Sequence, residues 1–438
     1  MAHDQRALRI CLVSDFFCPN TGGVETHIYY LAQCLIERGH RVIVITHAYA
    51  QRRGVRYLKR KLKVYYLPLL VVYNKCTMPT VYATMPWIRY ILIRERIDIL
   101  HGHSAFSCLA LECLVIAQCL NIRTTFTDHS LFGFADASSI IMNKLIQFSL
   151  ANCDHVICVS YTAKENTVLR SRVDPDNISV IPNAVNCACF TPDAHQFRNN
   201  PLTICVISRL VYRKGTDILA AVIPRICAKH PNVRFLIGGD GPKRVLLEQV
   251  REQHGLHERV QMLGELPHTQ VCEVLCRGQI FLNTSLTEAF CMTIVEAASC
   301  GLHVVTTEVG GIPEVLPSDL MFLAHPTAQG VQAALESAIE RYEQSRDTHD
   351  VWAQHHRVAD MYRWQDVSRR TERVYRRAVQ MLTDRNTTSM LKSSRLTKRP
   401  PSEAHSMVGV LLRVHPCPVL GSSTTGHSPR VRAWCAHC

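Results

Sequence analysis

Leu8 to Thr46 reads LRICLVSDFFCPNTGGVETHIYYLAQCLIERGHRVIVIT, and the order of its patterns decides the fold. LRICLVS (Leu8–Ser14) is a run for a buried strand. Asn20-Thr21-Gly22-Gly23 is a turn, an amphipathic helix follows to Glu37, and Gly39 ends it. RVIVIT (Arg41–Thr46) is then a second apolar strand. Apolar strands with a helix between them imply a parallel sheet covered on both faces. The series continues with strands at Ile97–Leu100, Arg123–Thr127, His155–Val159 and Ser179–Ile181. After the polar stretch Thr191–Pro201 it restarts, with Leu202–Ile207, Val233–Ile237, Val260–Leu263, Ile280–Asn283 and His303–Thr306. The expectation is an α/β protein of two Rossmann-like, doubly wound domains, residues 1–197 and 198–350, facing a cleft where strand carboxyl ends converge. Residues 351–384 form a helical region expected to pack back on the first domain. Residues 385–438, rich in Ser, Thr, Pro and Arg without periodicity, are expected to be a basic disordered tail.

The bulk composition agrees. A chain of 438 residues, 47 % hydrophobic and 19 % charged, is globular and too long for one core. Its formal charge of +13 invites a nucleic-acid reading, but Arg385 onward carries eight Lys/Arg against one acidic residue, about half of the excess. No basic helix or aromatic-interleaved patch accompanies the charge, so no nucleic-acid partner is expected. The 20 cysteines lie mostly in apolar runs, with no signal peptide before them, which fits free thiols in a reducing compartment. The single C-x-x-C, Cys435 to Cys438, has no second pair to complete a zinc site. No stretch reaches the roughly 18 apolar residues of a spanning helix. VYYLPLLVVY (Val64–Tyr73) follows the basic residues Arg52, Arg53, Arg56, Lys59, Arg60 and Lys61. That pairing suits an anionic membrane surface or a solvated loop leading into a core strand, and both readings stand.

Four constellations carry chemistry. Gly22-Gly23, between the first strand and first helix, lets backbone N–H groups approach an anion. It is not G-x-G-x-x-G, and Gly238-Gly-Asp-Gly-Pro242 lacks that spacing too, so a dinucleotide oxidoreductase is poorly supported. Arg209 and Lys214, on the loop after the second domain's first strand, offer a guanidinium fork and a point charge for phosphate oxygens. TSLTEAFCMTIVEAASCG (Thr284–Gly301) carries Glu288 and Glu296 in a segment otherwise small and apolar. Ser285-x-x-Glu288 matches a capping box, and Glu296 has little solvated face to occupy. After a turn at Ser285–Glu288 a helix is expected to run on to Ser299, and eight residues of rise put about 12 Å between the two carboxylates, the reach of a sugar–diphosphate–ribose chain. Free N–H groups near Phe290 to Met292 would then suit the diphosphate. His129, in Thr127-Asp-His-Ser130, is placed to donate a hydrogen bond or exchange a proton across the cleft.

Gly22-Gly23, Arg209-Leu-x-x-x-Lys214-Gly215, Glu288-Ala-Phe-x₅-Glu296 and Gly310-Gly-Ile-Pro-Glu314, in this order over roughly residues 8–380, resemble the retaining glycosyltransferases of the GT-B fold. The finer wording of VSDFFCPNTGGVETHIY, SLTEAFCMTIVEAASCGL and VGGIPEVLP is similar to the phosphatidylinositol N-acetylglucosaminyltransferase family of glycosylphosphatidylinositol-anchor biosynthesis. That resemblance implies transfer of GlcNAc from UDP-GlcNAc to phosphatidylinositol on the cytoplasmic face of the endoplasmic reticulum, within a membrane complex of several subunits. It implies that Gly22 and Gly23 meet the donor diphosphate and that Arg209 and Lys214 neutralise it. Glu288 would hold sugar hydroxyls, Glu296 the ribose, and His129 the sugar from the acceptor side. Phe290 and Cys291 would line the donor, and the basic residues from Arg52 to Lys61 the acceptor and membrane side. No cofactor or metal is expected; Asp174-Pro-Asp176 looks like a metal-binding D-x-D but lies far from the donor motifs. Two features depart from the pattern. Cys291 stands where much of the wider family has glycine. The family's membrane-spanning segment is met here only by a short apolar run before Arg413. A soluble acceptor, or an inactive scaffold role in the transferase complex, are the alternatives.

Overall fold

The computed structural model of the chain describes residues 6–20, 22–73, 75–80, 83–131 and 137–396. The first domain contains β1 (Arg9–Val13), α1 (Gly23–Glu37), β2 (Arg41–His47), β3 (Gly54–Tyr57), β4 (Lys63–Leu67), β5 (Val71–Tyr73), β6 (Cys76–Thr77) and α2 (Met85–Arg94). It continues with β7 (Ile99–His103), α3 (Cys108–Cys119), β8 (Arg123–Asp128), α4 (Ala137–Leu150), β9 (His155–Cys158), α5 (Tyr161–Ser171) and β10 (Ile178–Val180). The second holds α6 (Ala194–Asn199), β11 (Thr203–Ile207), α7 (Thr216–Lys229), β12 (Arg234–Gly238), α8 (Arg244–Gln253), β13 (Val260–Gly264), α9 (His268–Cys276) and β14 (Ile280–Asn283). Then come α10 (Met292–Ser299), β15 (His303–Thr307), β16 (Met321–Ala324), α11 (Ala328–Ser345), α12 (Val351–Met361) and α13 (Trp364–Leu396).

The first sheet runs β10-β9-β8-β7-β1-β2-β4-β3 and the second β13-β12-β11-β14-β15-β16. Their strands pair in parallel, except that β3 lies antiparallel to β4 at the edge. Alternation along β1 shows why both faces need cover. Ile10 and Leu12 join a core with α1 and the start of α13, while Cys11 and Val13 join another with α2 and α3. In the second sheet Ile204 and Val206 face α7 and α11, and Cys205 faces α9 and α10.

The chain crosses between the two domains at its C-terminal end. Val358 and Tyr362 of the α12 region sit in a core of the second domain, while Trp364, Val367, Val374 and Tyr375 sit in the first. Tyr375 is fully buried, with its hydroxyl 2.6 Å from Nδ1 of His101 on β7. Burying a ring of that size contributes about 2–3 kcal/mol. Both sheets belong to one compact unit, Met1–Thr383. Asp384 onward falls outside that unit and is helical as far as Leu396. The tail expected from 385 therefore starts in helix, and residues 397–438 lie outside the described residues. Among the described residues no helix is long and apolar enough to cross a membrane.

Candidate active site

In the second domain two loops are fastened to each other. Thr284 Oγ1 donates to the carbonyls of Lys214 at 3.0 Å and Gly215 at 3.1 Å, and the Leu286 N–H donates to Arg213 O at 2.9 Å. The approach is so close that only glycine fits at 215. Its φ is +66°, and a Cβ there would stand 1.7 Å from Thr284 O. This brings Lys214 Nζ onto Glu288 Oε1, which also accepts from Ser285 Oγ at 2.9 Å. Burial by itself would lower the lysine's pKa, but the charge and hydrogen bond of Glu288 outweigh it and the net shift is upward. Lys214 is therefore a fixed cation at neutral pH. Arg209, on the same loop, is exposed, and its positive charge tempers the rise that burial imposes on the Glu25 carboxyl of α1.

The single helix expected across both glutamates does not form. Residues 284–291 are non-helical and α10 begins at Met292, with Cys291 as its N-cap. The cause lies in the loop's own bonds: Ser285 donates to the Glu288 carboxylate instead of capping an N–H, and Glu288 O accepts from Gly311 N–H at 2.9 Å. The capping box is absent, and the helical-rise distance between Glu288 and Glu296 does not apply. The unbonded amides move with the boundary, to the first turn of α10 at Met292 and Thr293. The start of α10 lies against the first domain, since a Cβ on Gly23 would lie 3.6 Å from Met292 Sδ. The N-termini of α1 and α10 thus converge, two positive dipole ends beside Lys214 and Arg209.

The remaining residues of this segment divide by role. The Cys291 thiol is buried and its pKa pushed up to about 11, first by desolvation and then by Glu288, so it is a neutral core group. Phe290 packs against cores of both domains and meets Tyr362 edge-on at 5.7 Å. Glu296 is buried on α10 and lies 3.2 Å from His268 Nε2; that hydrogen bond raises the histidine's pKa.

On the first domain, His129 is the half-buried edge of a histidine cluster. Its ring lies 4.7 Å from His27 of α1 and stacks on His103 of β7 at 5.7 Å, and His101 lies tilted against His103 at 4.0 Å. Desolvation and then the neighbouring rings drive the His129 pKa well below its ordinary value. His129 is neutral at physiological pH, a hydrogen-bonding group rather than an acid. Ring nitrogens of His27, His103 and His129 lie within 4.8 Å of one another, a geometry that can also hold a metal ion.

Glu314, of the Gly310-Gly-Ile-Pro-Glu314 motif, ties the domains together. Its carboxylate accepts from the N–H groups of Tyr161 at 2.6 Å and Thr162 at 2.9 Å and from Thr162 Oγ1 at 2.8 Å. A second-domain acid therefore caps α5 of the first. The basic block lies at the sheet edge: Arg56 is on β3, Lys59–Lys61 form a short 3-10 turn beside α1, and Arg60 pairs with Glu37. Arg52 acts on Cys18 and Tyr66 near the glycine turn, and Arg53 is exposed. The apolar run VYYLPLLVVY splits into the buried strand β4 and an exposed hairpin with Leu70 and Val72 outward. Trp87 and Tyr90 of α2 and Ile141 and Phe148 of α4 are exposed as well. Asp174 closes a turn by accepting from the Asp176 N–H at 3.0 Å.

His268 and the role of Glu314 escape sequence reading, because one-dimensional patterns hold no signal for them. The pairing of His101 with His103 was available, because residues two apart on a strand share a face.

Two facing Rossmann-like sheets, with paired charges and helix N-termini between them, define a glycosyltransferase of the GT-B class. Residues 190–356 match the model for glycosyl transferases group 1, and residues 47–136 that for PIGA (GPI anchor biosynthesis). The chain is 56 % identical over 377 residues to the phosphatidylinositol N-acetylglucosaminyltransferase subunit of Homo sapiens, covering 85 % of this chain and 76 % of the relative. It is 55 % identical to the Arabidopsis thaliana protein of the same name over 372 residues, covering 85 % and 82 %. It therefore belongs to this family of phosphatidylinositol N-acetylglucosaminyltransferase subunits. Sucrose-phosphate synthase from Thermosynechococcus elongatus shares the fold with a TM-score of 0.69 at 19 % identity, covering 84 % of this chain and 98 % of that one. Anabaena Alr3699/HepE in complex with UDP-glucose does so with a TM-score of 0.64 at 17 % identity, covering 86 % and 100 %.

Proposed function

We propose that this chain transfers N-acetylglucosamine from UDP-GlcNAc to phosphatidylinositol with retention at the anomeric carbon, opening glycosylphosphatidylinositol-anchor synthesis. One observation carries the proposal: the Lys214–Glu288 pair lies on the loops beside the converging N-termini of α1 and α10. The donor diphosphate occupies the amides at Gly23 and at the start of α10, with Lys214 and Arg209 taking up the charge that develops as UDP leaves. Glu288, held by Lys214 and Ser285, accepts from sugar hydroxyls, and Glu296, backed by His268, from the ribose. His129 donates to the sugar as a neutral imidazole. The inositol hydroxyl attacks from the face the phosphate leaves, and the departing phosphate oxygen takes its proton. No metal takes part in this step.

A lipid acceptor is supported over a soluble one by the apolar side chains that β5, α2 and α4 present to solvent and by the basic edge at β3. The chain works at the cytoplasmic face of the endoplasmic reticulum membrane with the other members of its transferase complex. The test is transfer of radiolabelled sugar by the full chain with its partner proteins, comparing phosphatidylinositol vesicles with soluble inositol phosphate. Product on the lipid alone is expected. Product on the soluble acceptor alone overturns the lipid reading, and no product on either supports the scaffold alternative.

A further inference from the structure

Cys272 and Cys276 lie one turn apart on the same face of α9, and Cys300 lies just past the end of α10. Their sulfurs are all within 4.8 Å of one another, with Cys272 and Cys300 at 3.9 Å. A disulfide needs its sulfurs near 2 Å, so none is formed. The observed spacing instead matches the edge of a tetrahedron: sulfurs bound at about 2.3 Å to one ion stand about 3.8 Å apart. Cys276 and Cys300 are buried and Cys272 half-buried, leaving one side of the triangle open to a fourth ligand. Around the cluster, Thr191 O is 3.3 Å from Cys276 Sγ and 3.8 Å from Cys272 Sγ.

We infer that Cys272, Cys276 and Cys300 bind one thiophilic divalent cation of the zinc class, which staples α9 to the C-terminal end of α10. Entry of the ion releases the thiol protons to solvent. The consequence for the site is mechanical. His268 lies one turn before Cys272 on α9, and its partner Glu296 lies on α10. An ion joining these two helices therefore fixes the distance across which His268 supports Glu296. This is a structural site behind the nucleotide pocket, separate from the transfer step.

The full chain, purified under reducing conditions, is assayed for zinc and then exchanged with Co²⁺. About one ion per chain and the sulfur-to-cobalt charge-transfer absorption are expected, both lost in Cys272→Ser and Cys300→Ser. They should persist in Cys227→Ser, a buried cysteine elsewhere, and in Cys435→Ser/Cys438→Ser. Chelation should lower the melting temperature of the parent protein and leave that of Cys272→Ser unchanged. Absence of thiolate-type cobalt absorption in the parent overturns the inference without any variant having to fold. So does zinc retained at parental level in the Cys272→Ser/Cys300→Ser double variant, or lost only with Cys435 and Cys438.

Discussion

Gly215→Ala tests whether the two loops that carry Lys214 and Glu288 are held by contact or merely lie close. At φ +66° an alanine loses about 1–2 kcal/mol to the left-handed backbone alone. The new methyl would also lie 1.7 Å from Thr284 O, so the loops must part. That breaks the hydrogen bond that the single Thr284 hydroxyl proton shares between Lys214 O and Gly215 O, at about 1 kcal/mol. The total is about 2–3 kcal/mol, a fall in melting temperature of roughly 3–8 °C, the smaller value applying if the whole unit melts together. Gly39→Ala is the control. It has φ +88° with no atom within 4 Å of the added carbon, so it bears only the backbone cost. Thermal unfolding and sugar transfer are measured on both variants. Gly215→Ala should lose most of its activity at temperatures where it is still folded, because Lys214 is displaced from Glu288, while Gly39→Ala keeps its activity. Equal stability and equal activity of the two variants would refute the reasoning.

Lys214→Met should lower kcat by roughly 100-fold or more and destabilise the fold by stranding Glu288; adding Glu288→Gln should restore stability but not activity in a double-variant melt and assay. Glu314→Ala should leave the Tyr161 and Thr162 N–H groups of α5 without their acceptor, while Ser160 still caps Ala163, at a cost of about 1–2 kcal/mol, and raise KM through looser contact between the domains, with Glu314→Gln intermediate, as read by urea unfolding and kinetics. His268 has its pKa raised by Glu296, so the pair's stabilisation is complete below the unfolded-state value near 6.5 and is lost as pH rises through the higher folded value. Melting temperatures from pH about 6 to 8 should therefore fall more steeply for the parent than for His268→Asn. Parallel curves for the two proteins would contradict that assignment.

The strand series was legible because parallel strands buried on both faces are apolar throughout; Ile10 to Val13 and Val42 to Ile45 announce themselves. The antiparallel edge strand β3 did not, since Gly54–Tyr57 is exposed along its length and obeys no burial pattern. Ser285-x-x-Glu288 reads as a capping box because spacing cannot show that the serine will donate to the carboxylate. The loop's pairing with residues 213–215 decides that, about seventy positions away. Glu314 and its partners on α5 are separated by a whole domain, and the histidine cluster draws on three separate elements. Residues brought together by topology rather than by periodicity were the ones left unread.

The most direct measurement is transfer of labelled GlcNAc to phosphatidylinositol by the full chain with its partner proteins, in the presence of EDTA, alongside Lys214→Ala and Glu288→Ala. Initial rates that persist in EDTA and are not raised by Mg²⁺ or Mn²⁺, with both variants reduced by roughly 100-fold or more, are predicted. Activity abolished by EDTA and restored by Mg²⁺ or Mn²⁺, or activity intact in both variants, would contradict the claim that Arg209, Lys214 and the converging helix termini carry the donor's charge.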